Sequence, residues 1–237
     1  MGVIKMNIKI YADGANIKDM IEAYKSESVS GFTTNPTLMK KSGVRNYLQF
    51  AQEVLREIKN KPISFEVFSD EIDEMKKQAH ILNDLASNVY VKIPVTNTKG
   101  TTTYDLIRDL TKNKVKVNIT AIFTKNQIEN VVDSIHERTP SVISIFAGRI
   151  ANAGIDPEPI MKYAAKLTKH SPEKEILWAS PREALNVIQA ERCGCDIITV
   201  TPDIIKAMST FGKDLEEFSL ETVKMFYDDA VEAGFKI

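Results

Sequence analysis

Short apolar segments rich in β-branched residues recur along the chain at a regular interval, with polar turns between them. Each segment is followed by a stretch whose apolar residues repeat with the helical period. We therefore predict eight strands: Ile8–Ala15, Ser30–Leu38, Ile63–Ser69, Val89–Val95, Lys116–Phe123, Ser141–Gly148, Glu175–Arg182 and Cys195–Pro202.

Helix signals follow several of these strands. The stretch Asn16–Glu27 places Ile17, Met20, Ile21 and Tyr24 on one face. Another helix is expected to begin at Ser69-Asp70, because acidic residues there favour the first turn of a helix. Thr124 is typical of an N-cap, and Thr201 followed by Pro202 is typical of an N-cap with proline in the first turn.

The alternation of strand and helix predicts parallel pairing, because each return to the sheet needs a crossover. Eight such units in 237 residues fit a (β/α)8 TIM barrel, which typically has about 250 residues. An open doubly wound sheet is the alternative, but it usually carries a glycine-rich turn where YADGANIKD has one glycine. We predict an α/β fold, a single barrel domain over residues 1–237. An additional helix at about 214–234 would pack on the barrel or on a neighbouring subunit.

Composition narrows the function classes. The chain is 43% hydrophobic and 27% charged, with a net charge of -1 and interleaved signs. It has no basic stripe for nucleic acid and no apolar run of the ~18 residues that a membrane span needs. The first residues, MGVIKMNIKI, lack the features of a signal peptide. We expect a cytoplasmic protein with no nucleic-acid or membrane partner.

The cysteines and histidines argue against a metal site. Cys193 and Cys195 are the chain's two cysteines, and we interpret them as reduced and structural rather than as a redox or metal pair. The three histidines, His80, His136 and His170, all fall outside the predicted strands. No metal is therefore expected.

One lysine, Lys92, lies inside the apolar strand VYVKIPV. Burial of an ammonium favours the neutral amine, and a neutral amine is the nucleophile that Schiff-base chemistry on a carbonyl substrate needs. Alternatively, Lys92 lies at the strand end and reaches solvent or pairs with a carboxylate. The strand alone does not decide between the two interpretations.

Polar residues cluster at the carboxyl ends of the predicted strands, where a TIM barrel builds its active site. Singly, each is typical of a cap, a turn or a solvated surface, but together they would face one mouth. Asp13 and Glu66 could move protons, and Arg149 and Arg182 with Ser180 could clamp a dianionic phosphate. The remaining candidates, which could hold substrate hydroxyls, a water or the pocket wall, are Thr33, Asn35, Asn118, Thr120, Ser144, Thr199 and Thr201.

Six strings, YADGAN, GFTTNPTL, VYVKIPV, VNITAIFT, SIFAGRI and WASPR, resemble the transaldolase and fructose-6-phosphate aldolase family. The resemblance covers nearly the whole chain, strand by strand. It implies a class I, Schiff-base enzyme on a (β/α)8 barrel that acts on sugar phosphates and needs no cofactor. The length resembles the short, single-barrel branch, whose members often assemble as pentamers or decamers, so the resemblance implies a homo-oligomer.

The resemblance also implies a role for each candidate. Lys92 would form the Schiff base with the ketose C2 carbonyl, and Asp13 would act as acid and base at the C4 hydroxyl. Glu66 with Thr120 would position a water and relay protons. The substrate-binding residues would be Asn35 and Asn118 for the dihydroxyacetone unit, Arg149, Ser180 and Arg182 for the phosphate, and Thr33, Ser144 and Phe146 in the pocket.

Two positions separate the branches of this family. Fructose-6-phosphate aldolases resemble one another in having glutamine on strand 3 and tyrosine on strand 6, whereas this chain has Glu66 and Phe146, as transaldolases do. This implies transfer of a dihydroxyacetone unit from sedoheptulose 7-phosphate or fructose 6-phosphate to an aldose phosphate, as in pentose phosphate metabolism. The alternatives are an aldolase that releases free dihydroxyacetone, and a non-catalytic sugar-phosphate scaffold. The chain departs from the family at Ala151-Asn152-Ala153, where acids are common, and in the polar loop after strand 4.

Overall fold

Eight parallel strands close into a barrel in sequence order, and the last strand pairs with the first. This computed structural model describes residues 6–237; residues 1–5, part of the segment considered above as a signal peptide, lie outside the described residues. The predicted (β/α)8 barrel is confirmed. The strands are β1 Lys9–Asp13, β2 Val29–Thr33, β3 Ile63–Glu66, β4 Val89–Pro94, β5 Val117–Ile122, β6 Ser141–Ile145, β7 Lys174–Trp178 and β8 Ile197–Val200.

Helices cover the outside of the barrel. They are α1 Ile17–Lys25, α2 Pro36–Lys41, α3 Tyr47–Glu57, α4 Ile72–Asn83, α5 Tyr104–Lys112, α6 Lys125–Ser134, α7 Ala147–Asn152, α8 Glu158–Thr168, α9 Leu185–Arg192, α10 Pro202–Ala207 and α11 Leu215–Glu232. A short 3₁₀ helix, Met208–Thr210, follows α10. Two crossovers carry a pair of helices, α2 with α3 and α7 with α8, where the sequence pattern predicted one each.

All eight predicted strands extend past the observed carboxyl ends. Asn35 caps α2, and the proline after it occupies the first turn of that helix. Ala147 and Gly148 begin α7, and residues 179–182 form the loop after β7. Several predicted site residues therefore lie on loops and helix starts rather than within strands.

Most of the caps and helix starts that the sequence predicts are present in the structure. The Thr124 hydroxyl accepts from the Gln127 N–H at 3.2 Å, and the Gln127 side chain accepts from the Thr124 N–H at 3.0 Å, which forms a capping box. The prediction that the helix after β3 begins at Ser69-Asp70 is wrong, because α4 begins at Ile72. The Asp70 carboxylate instead accepts from the N–H and hydroxyl of Thr98 at 2.7 and 2.8 Å.

Apolar side chains form two clusters, one between strands and helices and one inside the barrel. Tyr90 belongs to the inner cluster and precedes Lys92 by two residues on β4, so it lies one layer deeper on the same face. Gly31 makes room for the inner Tyr11 ring, because a Cβ there would lie 2.6 Å from that ring. The inner cluster comprises Tyr11, Val142, Leu177, Ala179 and Ile197, with Tyr90 and Phe146 against them.

Helix α11 confirms the additional C-terminal helix, but none of its residues is buried. Its exposed large apolar side chains are Leu215, Phe218, Leu220, Val223, Met225, Phe226, Tyr227 and Val231. What covers this helix therefore stays a prediction. Among residues 6–237, no helix is long and apolar enough to cross a membrane.

The two cysteines lie in the segment that connects α9 with β8. Both are free thiols and both are buried. Burial raises the pKa of the Cys193 thiol to about 11 and raises that of Cys195 as well. Such thiols are poor nucleophiles, which agrees with a structural role.

Candidate active site

A cavity of about 550 Å³ opens at the carboxyl ends of the barrel strands, and ten of the twelve predicted site residues line it. Asn118 and Arg182 do not. The predicted residues that do are Asp13, Thr33, Asn35, Glu66, Lys92, Thr120, Ser144, Phe146, Arg149 and Ser180. The ends of all eight strands, or the loops that follow them, contribute to the lining, because Thr199 of β8 lines the cavity as well.

Lys92 sits at the floor of this cavity and is 7% exposed. Its Nζ lies 3.2 Å from Glu66 Oε2 and donates to the carbonyl oxygen of Thr34 at 3.1 Å. Glu66 and Lys92 are direct partners in the pairing of β3 with β4, and Asn118 is the partner of Lys92 on β5. The structure combines both interpretations of this lysine, because the amine is buried and also pairs with a carboxylate. That carboxylate can accept a proton from the amine.

Asp13 is the last residue of β1 and lines the same cavity. The Thr33 hydroxyl donates to Asp13 Oδ1 at 2.8 Å and is itself hydrogen-bonded to the Thr199 hydroxyl. Burial raises the pKa of the Asp13 carboxyl, while the positive charge of Lys92 and the Thr33 hydrogen bond offset part of that rise. A carboxyl with a raised pKa exchanges its proton closer to neutral pH, as an acid–base group requires.

Thr120 presents a buried hydroxyl to the cavity, and within residues 6–237 that oxygen has no hydrogen-bond partner. Buried hydroxyls are almost always partnered, so this one marks a place for a water or a substrate oxygen. The next residue, Ala121, has φ of 61° and coincides with a shift in the pairing of β5 with β6. This bulge lets Thr120 and Ala121 both reach the cavity, although they are adjacent in the strand.

Asn118 lies beneath the cavity rather than in its wall. It is fully buried, its Nδ2 donates to Ser64 Oγ at 2.9 Å, and its Oδ1 accepts from Ser144 Oγ at 2.7 Å. The three side chains form a polar layer that links β3, β5 and β6 beside Lys92. Ser64 was missed from the sequence, although its position two residues before Glu66 puts it on the same face of the strand.

The side-chain amide of Asn35 uses its oxygen within the fold. Oδ1 accepts from the backbone N–H of Leu38 at 3.0 Å and caps α2. Since the oxygen is used by the cap, the Nδ2 group is the part of the side chain that can donate to a bound molecule.

Two aromatic rings, Phe123 and Phe146, also line the cavity. The Arg149 guanidinium lies 5.7 Å from the centre of the Phe146 ring, a cation–π contact that orients it. Phe146 also packs against Phe123, with ring centres 5.7 Å apart. Phe123 lines the cavity and was missed, because nothing in the sequence distinguishes it from a core aromatic.

Ser180 follows β7 in a left-handed conformation, with φ of 60°. Its carbonyl oxygen packs so closely on α7 that a Cβ on Gly148 would lie 1.6 Å from it. Gly148 therefore permits the loop after β7 to approach the start of α7, which places Ser180 and Arg149 on one side of the cavity.

Arg182 lies outside the cavity lining. Its Nε donates to Asn152 Oδ1 at 3.1 Å, and its backbone N–H donates to Asn186 Oδ1 at 2.6 Å. The predicted phosphate clamp is thus divided, with Arg149 and Ser180 on the cavity and Arg182 held at the end of α7. Within residues 6–237, no three histidine, cysteine or acidic side chains are grouped as metal ligands.

Comparisons with known proteins agree with this geometry. A family model described as "Transaldolase/Fructose-6-phosphate aldolase" matches residues 10–237. A "Probable transaldolase" of Bartonella henselae is 32% identical over 205 residues, which cover 85% of this chain and 88% of that protein. One from Thermoanaerobacter sp. is 31% identical over 231 residues, or 97% of this chain and 100% of that protein.

Solved structures share the fold. The N-acetylneuraminate lyase of Mycoplasma synoviae has a TM-score of 0.55 at 12% identity, covering 93% of this chain and 80% of that one. The orotidine 5'-monophosphate decarboxylase of Metallosphaera sedula has a TM-score of 0.54 at 11% identity, covering 90% of this chain and 99% of that one. These likenesses concern the barrel alone, whereas the family match spans strands, loops and cavity together. The chain belongs to the transaldolase/fructose-6-phosphate aldolase family.

Proposed function

We propose that this protein is a transaldolase that moves a dihydroxyacetone unit from a ketose phosphate to an aldose phosphate through a Schiff base on Lys92. The observation that carries the proposal is the buried Lys92 amine, 3.2 Å from the Glu66 carboxylate, at the floor of a cavity with one arginine on its wall. Sedoheptulose 7-phosphate and fructose 6-phosphate are the proposed donors.

The first step is attack of the neutral Lys92 amine on the donor C2 carbonyl. Glu66 accepts the proton that the amine loses, since its Oε2 is within hydrogen-bonding distance of Nζ. Glu66 returns this proton to the former carbonyl oxygen, which gives the carbinolamine, and the hydroxyl then leaves as water with a second proton from the solvent, so that an iminium ion forms. The Thr120 hydroxyl, which has no partner within the described residues, would hold that water.

Cleavage follows when Asp13 removes the proton of the C4 hydroxyl. The C3–C4 bond breaks, its electron pair moves toward the iminium nitrogen to form an enamine, and C4 leaves as the aldehyde of an aldose phosphate. Asp13 returns its proton when the enamine attacks the aldehyde of the acceptor. Water then hydrolyses the new iminium and frees Lys92.

Phe146 supports transfer over simple release. Its ring carries no hydroxyl that could bring a proton to the enamine, and it packs against Phe123, a second ring without a hydroxyl. The enamine would then persist until an aldehyde arrives. An aldolase that releases free dihydroxyacetone remains the second candidate, because it uses the same lysine.

The deciding experiment measures release of glyceraldehyde 3-phosphate from fructose 6-phosphate, with and without erythrose 4-phosphate. Release that requires the acceptor is expected for a transaldolase, whereas release without it identifies an aldolase. In parallel, borohydride reduction with fructose 6-phosphate should leave a mass adduct on Lys92. Binding of sugar phosphates with neither turnover nor adduct would identify a scaffold.

We also propose that the protein is a homo-oligomer, a pentamer or decamer, in which α11 packs on a neighbouring subunit. The support is that no residue of α11 is buried, while eight of its large apolar side chains are exposed. A helix that exposes this many large apolar side chains favours an interface. The buried thiols of Cys193 and Cys195 support a reducing, cytoplasmic setting.

A further inference from the structure

Thr34 follows the last residue of β2 and is fully buried. Only two residue pairs join β2 to β3, Phe32 with Ile63 and Thr33 with Ser64. Thr34 extends this junction beyond its last pair, because its N–H and its hydroxyl both donate to the carbonyl oxygen of Ser64, at 3.2 and 2.8 Å. The side chain of Thr34 therefore fixes its own backbone against β3.

The carbonyl oxygen of Thr34 accepts a hydrogen bond from Lys92 Nζ at 3.1 Å. The same nitrogen lies 3.2 Å from Glu66 Oε2, so two acceptors of different chemistry share it. The carboxylate can take a proton, whereas a backbone carbonyl oxygen accepts a hydrogen bond but is too weak a base to remove the proton. The carbonyl therefore stabilises positive charge on the nitrogen without neutralising it.

This difference bears on the nitrogen once it has added to a ketone. The neutral amine has two hydrogens and gives one of them to Glu66 during the addition. The nitrogen of the iminium ion retains the other. Transfer of that last hydrogen to Glu66 would leave a neutral imine, which is a much weaker acceptor for the electron pair of the C3–C4 bond.

We infer that Thr34 is a positioning residue whose side chain fixes its carbonyl oxygen beside Lys92 Nζ, and that this oxygen holds the iminium hydrogen so that the Schiff base stays protonated. The inference rests on the proposed function and deepens it, because it assigns the charge state of the intermediate to a residue outside the cavity lining. Glu66 then acts as the proton carrier and Thr34 as the fixed acceptor.

Among residues 6–237, three other charged side chains line the cavity around this nitrogen, Asp13 from β1, Glu66 from β3 and Arg149 from α7. The test variants keep all three. A change in the charge state of the Schiff base is therefore attributable to position 34.

The variant T34V removes the hydroxyl and nearly keeps the shape of the side chain. T139V is the matched control, because Thr139 is also buried and its hydroxyl also donates to a backbone carbonyl oxygen, that of Thr111, at 2.7 Å. Thr139 precedes β6, at the end of the barrel away from the cavity. T34S retains the hydroxyl, and T34A takes the place of T34V if the valine variant does not fold.

The assay compares adduct formation on Lys92 with fructose 6-phosphate and two reducing agents across a range of pH. Cyanoborohydride reduces the protonated iminium, whereas borohydride also reduces the neutral imine, so the ratio of the two adducts measures the charge state. In T34V the pH at which this ratio is halved should fall by about one pH unit, the order of one hydrogen bond to a charged group. T139V should match wild type, and T34S should restore the wild-type midpoint.

An unchanged midpoint in T34V would overturn the inference, and an equal loss of both adducts with that midpoint would show a merely structural role. A midpoint at higher pH would overturn it as well. Acetone, a ketone with neither hydroxyl nor phosphate, separates the inference from the proposed function. If fructose 6-phosphate leaves no adduct on wild type but acetone does, the proposed function fails, and the midpoint with acetone still tests Thr34. No adduct with either ketone would reject both.

Discussion

The Lys92 amine and the Glu66 carboxylate lie 3.2 Å apart because the two residues are direct partners across β3 and β4. Strand register, rather than a loop, sets this distance. The pair is therefore held by the barrel itself, which suits the proton transfer proposed for each turnover.

Replacing Lys92 by methionine keeps the shape of the side chain and removes the nucleophile. We expect turnover to fall at least about 10³-fold and the borohydride adduct to disappear. Binding of inorganic phosphate should persist, since Arg149 and Ser180 lie on another wall of the cavity. An adduct on a different lysine in the variant would contradict the assignment.

The pH dependence of kcat/KM should report on Asp13. The Thr33 hydrogen bond stabilises the ionised carboxylate, so T33V should raise the pKa of Asp13 further. If Asp13 must be ionised to accept the C4 proton, the acid limb of the profile will move to higher pH in T33V. T199V removes a hydroxyl that contacts Thr33 but is not the one bonded to Asp13, so its shift should be smaller. A limb that moves to lower pH would rule out this role.

Some residues of this site could be predicted from their local sequence, whereas the positions of others depend on how the strands and loops pack in three dimensions. Lys92 and Glu66 were found because charged side chains in apolar strands stand out. The depth of Asn118 was not predictable, since it depends on how strands tilt around the barrel. The position of the loop that carries Arg182 was not predictable either. It depends on the close approach of Gly148 to Ser180, which the sequence does not show. The bulge at Ala121 has no signal in the sequence either.

Gly148 should not tolerate a side chain. A methyl group at this position would meet the Ser180 carbonyl oxygen, so G148A should lower the free energy of unfolding by about 1–3 kcal/mol, the usual cost of overpacking. It should also weaken phosphate binding by displacing Ser180. G14A is the control, because a Cβ there meets nothing within 4 Å. Denaturant unfolding measures the first effect, and equal stability of the two variants would refute it.

Phe146 should govern the fate of the enamine. F146Y adds a hydroxyl to the cavity wall, and we expect acceptor-independent release of glyceraldehyde 3-phosphate to rise severalfold. F123Y places a hydroxyl on the adjacent ring and serves as the matched control. If both variants release no more product than wild type without acceptor, the partition between transfer and release is set elsewhere.

The apolar surface of α11 should determine the oligomeric state. Burial of one large apolar side chain contributes about 1.5–3 kcal/mol, so the double variant L220E/F226E should dissociate the assembly. Sedimentation velocity would then show a smaller species than wild type. K224E, an exposed position on the same helix, changes charge without removing apolar area. A monomeric wild-type protein would contradict the proposal outright.

The packed interior of the barrel constrains the order in which substrates bind and products leave. Tyr11, Val142 and Leu177 pack together beneath the layer of Lys92, so the lower end of the chamber is closed by side chains. Donor and acceptor must then use the same entrance. If the proposed transaldolase activity is correct, the first aldose phosphate departs before the second arrives, and a plot of reciprocal rate against reciprocal donor concentration should give parallel lines at different acceptor concentrations.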